Sequence, residues 1–122
     1  MSWGQSDTLA YESIVGYYEN ITKKIESYQS SGNINKASEL EKERDEYINA
    51  LGDSYGKALF FLALSRGDAH AGDFQSAIIR CGKAVEIFKK ILGREHVYYA
   101  LSLNELSNYY AKRGNYSKLT YF

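Results

Sequence analysis

The sequence predicts an all-α protein made of antiparallel helical hairpins, and three observations carry that expectation. Proline is absent from all 122 residues, so no residue forces a break inside a helix. Apolar residues recur at steps of three and four in the long segments, whereas none shows sustained strict alternation or a two-residue hairpin turn between β-type runs. Five Gly-polar dipeptides, Gly32-Asn33, Gly52-Asp53, Gly72-Asp73, Gly93-Arg94 and Gly114-Asn115, sit about 20 residues apart and divide the chain into six segments. A glycine ending a helix takes the left-handed conformation without steric cost, and an Asn or Asp after it can cap the next helix.

The first segment places Ile14, Tyr17, Tyr18, Ile21, Ile25 and Tyr28 on one helical stripe. In the second, Glu39, Glu41, Lys42, Glu43, Arg44, Asp45 and Glu46 crowd eight positions, while Ala37, Leu40, Tyr47, Ile48 and Leu51 still share a face. It reads as a largely solvated helix, with disorder as the alternative that its charge density favours. The third, Leu59-Phe60-Phe61-Leu62-Ala63-Leu64, is apolar all round, as expected of a helix packed on two sides. The fourth runs Phe74, Ala77, Ile78, Cys81, Val85, Phe88, Ile91 and Leu92. Connections this short make neighbouring helices antiparallel.

Composition excludes several classes. Fifteen Lys+Arg balance fifteen Asp+Glu, which is not the basic excess of a nucleic-acid binder. Cys81 is the single cysteine, so no disulfide framework exists within the chain. No stretch approaches the ~20 apolar residues of a membrane span. Neither a basic n-region nor an apolar h-region opens the chain, and with the lone thiol this favours a cytoplasmic protein over a secreted one.

Self-similarity supplies the architecture. Gly32-Asn33-Ile34-Asn35-Lys36-Ala37 recurs 40 residues on as Gly72-Asp73-Phe74-Gln75-Ser76-Ala77, and 42 further on as Gly114-Asn115-Tyr116-Ser117-Lys118-Leu119. Out of phase with it, Leu51-Gly52-Asp53 matches Leu92-Gly93-Arg94, and Ala58-Leu59 matches Ala100-Leu101. Each unit is a helix, a tight turn, a helix and a Leu-Gly linker. Small residues at Ala37 and Ala77 fit where two helices cross closely, and Phe61, Leu64, Phe74, Leu103, Leu106 and Tyr116 suit the space between helices. One hairpin cannot bury both its faces, so such units stack.

The run from Ala84 through Ile91-Leu92-Gly93-Arg94-Glu95-His96 to Tyr99-Ala100-Leu101-Ser102-Leu103-Asn104-Glu105-Leu106, followed by Tyr109-Tyr110 and Gly114-Asn115-Tyr116, resembles tetratricopeptide repeats of the longer, roughly 42-residue kind found in kinesin light chains. The resemblance covers about 53–122 and is weak before that. It departs from the pattern at Val97, where the family carries proline, at Leu119, where it carries a small residue, and at Asp68, where it carries tyrosine. It implies a flexible lead-in at 1–7 and a right-handed solenoid over 8–122, with units near 8–52, 53–93 and 94–122, the first a degenerate terminal repeat. Only eight residues follow Gly114, fewer than a partner helix needs. The last unit therefore reads as incomplete: a fragment of a longer array, or an open apolar end covered by a second copy in a homodimer.

The resemblance implies a protein- or peptide-binding scaffold, the sensing or interaction part of a larger regulator, with no catalysis and no cofactor. The first helix of each unit lines the groove. Carried onto this chain, the groove residues are Leu59, Leu62, Arg66, Ala69 and His70 in the middle unit. In the last they are Leu101, Asn104, Asn108, Lys112 and Arg113. Asn104 and Asn108, four apart, lie on one helical face, and paired amides can donate to and accept from a peptide backbone at once. Lys112 and Arg66 could add a carboxylate contact, although the two-carboxylate clamp of chaperone-binding relatives needs a lysine where Asn104 stands. The competing class is a self-associating structural module with no ligand.

Other chemistry weighs little. His70 and His96 have no metal-ligand spacing around them, and His96 suits capping or packing of its linker. Cys81 lies on an apolar stripe, where a buried structural thiol is expected. Asn20-Ile21-Thr22 and Asn115-Tyr116-Ser117 match the glycosylation pattern, a weak three-residue signal. Charge is unevenly spread: residues 1–31 and 32–72 each carry a net −2, and residues 73–122 a net +4. A solvated helix surface explains this most simply; the sharper reading is steering toward an acidic partner.

Overall fold

The computed structural model describes residues 5–114. Five helices occupy them: α1 (Gln5–Ser30), α2 (Ile34–Ala50), α3 (Tyr55–His70), α4 (Phe74–Leu92) and α5 (Val97–Lys112). No strand occurs among the described residues. The chain is all-α, as the periodicity requires. Two compact units divide at Gly52, the first holding α1 and α2 and the second α3, α4 and α5. The segment after Gly114, with Tyr116 and Leu119, lies outside the described residues. α1 starts at Gln5, inside the stretch read as a flexible lead-in; neither glycine nor proline interrupts residues 5–15.

In the first unit the α1 stripe is the core. Ile14, Ile21 and Ile25 are buried, and Ala37 and Ile48 of α2 meet them from the other side. Tyr17, Tyr28 and Leu40 pack around Ile21, Ile25 and Ala37. Ala37, only 2% exposed, is the small residue that lets the helices close up. Burying an isoleucine contributes about 2 kcal/mol, so three of them account for much of what holds this hairpin. The antiparallel register is legible in three contacts: Tyr17 against Tyr47 at 3.9 Å between ring centroids, Arg44 donating to the Thr22 hydroxyl at 3.0 Å, and Gln29 donating to Glu41 at 3.2 Å. The Arg44 guanidinium also lies 4.7 Å from the centre of the Tyr18 ring. The charge-dense second segment is helical. Asn33 caps it by accepting from the Lys36 N–H, and its Lys36–Glu39 and Lys42–Glu46 ion pairs, each at 3.9 Å, are exposed.

In the second unit α4 is covered from two directions. Ala77, Ile78, Cys81, Ala84, Val85, Ile87 and Phe88 are all buried, against Ala58, Phe60, Phe61 and Leu62 of α3 and Ser102 and Tyr109 of α5. Asp53–Lys90 at 2.9 Å and Asp68–Arg80 at 2.8 Å clamp opposite ends of the α3–α4 pair and show it antiparallel. Phe88–Tyr98, Cys81–Ser102 and Phe74–Tyr109 do the same for α4 and α5. The all-apolar run of α3 is not wholly enclosed: Ala63 is exposed and Leu59 and Leu64 are half-buried.

The turns within the hairpins repeat. Gly32 and Gly72 have φ of 82° and 83°. At each, the glycine N–H bonds three residues back and the next N–H five back, Asn33 to Tyr28 and Asp73 to Asp68, both at 2.8 Å. This double bond satisfies the last carbonyls of the helix. The Gly52 break is built differently. Leu51 is extended, Gly52 has no positive φ, and Ser54, not Asp53, caps α3 through the Lys57 N–H. Asp53 instead takes ion pairs from Lys57 and Lys90, which hold its carboxyl below the usual carboxylate range, the Lys90 hydrogen bond foremost.

Candidate functional site

The first helices of the second unit's successive repeats, α3 and α5, run alongside each other in parallel. Tyr55 faces Tyr98 at 5.5 Å between ring centroids, and Arg66 meets Glu105. The separations in sequence, 43 and 39 residues, bracket the repeat length. Positions equivalent in the repeat thus meet in space.

One face of each helix is left open. On α5 the exposed stripe is Val97, Leu101, Asn104, Asn108 and Lys112; Leu101 is 43% exposed. Four predicted groove residues therefore share it. The opposite face of α5 is committed to the interior: Ser102 is fully buried and Tyr109 nearly so. On α3 the open lane holds Ala63, Arg66, Gly67 and His70, with half-buried Leu59 at its start. Leu62 does not belong to it. At 4% exposure Leu62 is core: it lies at the edge of the lane that packs against α4, although it stands four residues before Arg66. Ala69 is half-buried.

Arg66 is not free to serve as a simple anion reader. Its Nε and Nη2 donate to both oxygens of Glu105 at 2.8 Å each. Those hydrogen bonds hold the guanidinium firmly protonated, and a two-point Arg–carboxylate pair fixes geometry as well as charge. Glu105 also accepts from the Tyr109 hydroxyl at 3.5 Å, and burial raises the Tyr109 phenol above its ordinary range. Beneath this pair lie Ser65 and Ser102, both fully buried. Each returns its hydroxyl to its own helix, Ser65 to Leu62 O at 2.7 Å and Ser102 to Tyr99 O at 3.0 Å. Small hydroxyl residues so satisfied let α3, α4 and α5 approach without an orphaned polar atom.

Arg113 is likewise engaged: it donates to Gln75 and lies over the Tyr110 ring at 5.5 Å. His70 is exposed at the end of α3, and His96 caps α5, its Nδ1 accepting from the Tyr98 N–H at 3.1 Å. Among the described residues no three of His, Cys, Asp and Glu converge as a metal ion would need, and no helix is long and apolar enough to cross a membrane. Sequence reasoning missed Ala63, Gly67 and Glu105. The two small residues were hidden in an all-apolar run and a glycine without a turn signal. Glu105 could have been found by pairing charges one repeat apart.

Hairpins in which equivalent helices line up side by side, one face open and the other packed, define a helical-repeat scaffold. The comparison with protein families identifies which one. The family model described as Tetratricopeptide repeat matches residues 57–118, just over half of the chain, and the chain belongs to that family. Such repeats generally mediate protein–protein interaction, and the family is a non-catalytic scaffold. No curated protein matches the chain, nor does any solved structure.

Proposed function

We propose that the open faces of α3 and α5 form a groove that binds an extended peptide segment of a protein partner, without catalysis or cofactor. The observation that carries this reading is the exposed stripe Leu101, Asn104, Asn108 and Lys112 along α5, held beside the α3 lane by the Arg66–Glu105 pair. Asn104 and Asn108 offer donors and acceptors to a peptide backbone, Leu101 an apolar contact, and Lys112 and His70 donors at the rim. Arg66 then acts through Glu105, setting the width of the groove. The placement of the module within a larger regulator rests on the resemblance to long-repeat arrays alone.

The test is a displayed library of random peptides selected on the wild-type chain, then measured on Asn104→Ala/Asn108→Ala. Enriched peptides are expected to bind the variant about tenfold or more weakly, with helicity unchanged. Peptides that bind both proteins equally would sink the groove.

A further inference from the structure

The outward face of α4 carries a lane of alternating charge in which, among the described residues, Lys90 alone has an ion-pair partner, Asp53. Lys83, Glu86 and Lys90 are exposed and recur at steps of three and four, so they form one lane, preceded a turn earlier by Ile79, which is 52% exposed. Lys83 lies against the Phe61 ring at 5.2 Å. Lys90 reaches Asp53, yet its side chain stays 71% exposed. On α1 of the first unit, Glu19, Lys23 and Glu26 are also exposed, at steps of four and three. Among the described residues none of Glu19, Lys23, Glu26, Lys83 and Glu86 has an ion pair within 4.0 Å, and Glu86 acts on Lys90, one turn on, only at longer range.

Laid antiparallel, the two lanes coincide. Signs −, +, − at Glu19, Lys23 and Glu26 fall on +, −, + at Lys90, Glu86 and Lys83, and the spacings agree position by position: four then three from Glu19, four then three back from Lys90. Both lanes are about 10 Å long at 1.5 Å per residue. Interleaved signs fix the register, because a slip by one turn brings like charges together, and the matched four-three spacing sets all three pairs level only in the antiparallel arrangement. The imbalance of the whole chain points the same way: residues 1–52 carry five bases and nine acids, and residues 53–122 ten bases and six acids.

We propose that a second copy of this chain is the partner of the α4 face, its α1 docking antiparallel so that Glu19 meets Lys90, Lys23 meets Glu86 and Glu26 meets Lys83. The contact is heterologous, joining different surfaces of the two copies. It is also weak and salt-sensitive, since each pair is exposed. It leaves the α3–α5 groove open and does not depend on it.

Sedimentation equilibrium across a concentration series, at about 0.02 M and about 0.5 M salt, tests this with the whole chain. The expected result is mass that rises with loading at low salt and stays monomeric at high salt. Lys23→Glu/Glu26→Lys and Lys83→Glu/Glu86→Lys each weaken association by about tenfold or more; Lys90 is left in place because it holds Asp53. An equimolar mixture of the two variants restores association, since each reversed lane meets its reversed complement, and circular dichroism shows both variants helical. A wild-type monomer at every loading in low salt overturns the proposal. So do variants that associate like wild type, a mixture as monomeric as its components, or association lost in Asn104→Ala/Asn108→Ala.

Discussion

Cys81 and Arg66 are the two residues where a side chain's neighbours, and not its type, decide what it does. The Cys81 side chain is fully buried, and its thiol donates to the Ser102 carbonyl at 3.4 Å. Burial pushes the thiol up to about 12 from its ordinary 9.0. Reaction with an alkylating agent needs both thiolate and access, and the fold denies both. At about pH 8.5 the native chain is expected to react with iodoacetamide about 100-fold or more slowly than the urea-unfolded chain; equal rates would show that the packing around α4 is not as described. The linkage has a definite sign. A folded value above the unfolded one gives stability that is complete below about pH 9 and is lost as pH rises through about 12. Tyr109, also raised by burial, adds to the same alkaline loss. Comparing the alkaline fall in urea midpoint between Cys81→Ala and wild type therefore isolates the thiol. Arg66 shows the converse. Its type suggested a ligand contact, and its neighbour Glu105 makes it a strut.

At the scale of elements, local chemistry sets where each helix starts and stops, and one start is less firmly capped than it could be. α5 begins at Val97, 67% exposed, after His96 with φ of −78° and ψ of 142°. That extended backbone is what a residue preceding proline prefers, and the first N–H of a helix has no intrahelical partner to lose. Val97→Pro should therefore raise stability by about 0.5–1 kcal/mol through the unfolded chain's lost freedom, read as a higher Tm by differential scanning calorimetry. A lower Tm would mean that the linker geometry differs from this one. Most of the elements were legible beforehand. Helical spacing placed Ile21, Ile25, Ala77 and Phe88 in cores, and the Gly-Asn and Gly-Asp turns at 32 and 72 behave as their sequence says. The Gly52 break was not, because Lys90, far along the chain, draws Asp53 away from capping. Nor was the orientation of α3. With six apolar residues in a row, no pattern tells Leu62 from Ala63, and only the packing of α4 on one side decides between them.

Across the whole molecule the two units are unequal in what each buries. Among the described residues the first has two helices, and within the unit each covers only one face of the other. Its buried apolar residues, among those described, are Ile14, Ile21, Ile25, Ala37 and Ile48, with partly buried tyrosines and an acidic helix around them. The second has three among the described residues, with Phe88 and its neighbours on α4 enclosed by Phe60 and Phe61 of α3 on one side and by Ser102 and Tyr109 of α5 on the other. Stability in repeat proteins sums over units and nearest-neighbour terms, so opening free energies need not be uniform. Native-state hydrogen exchange should find the α1 and α2 amides opening at least about 2 kcal/mol more easily than the amides at the centres of α3 and α4, a difference of about 30-fold in protection. Slow exchange in α1 near Ile21 and Ile25, equal to that around Phe88, would contradict it and would mean that both units open only together. The gradient also bears on both proposed surfaces. The groove lies wholly within the more deeply packed unit, so its geometry should survive openings of α1 and α2. The α1–α4 contact between copies, by contrast, requires the weaker hairpin to be formed, and raising protection of α1 with protein concentration at low salt would be its exchange signature.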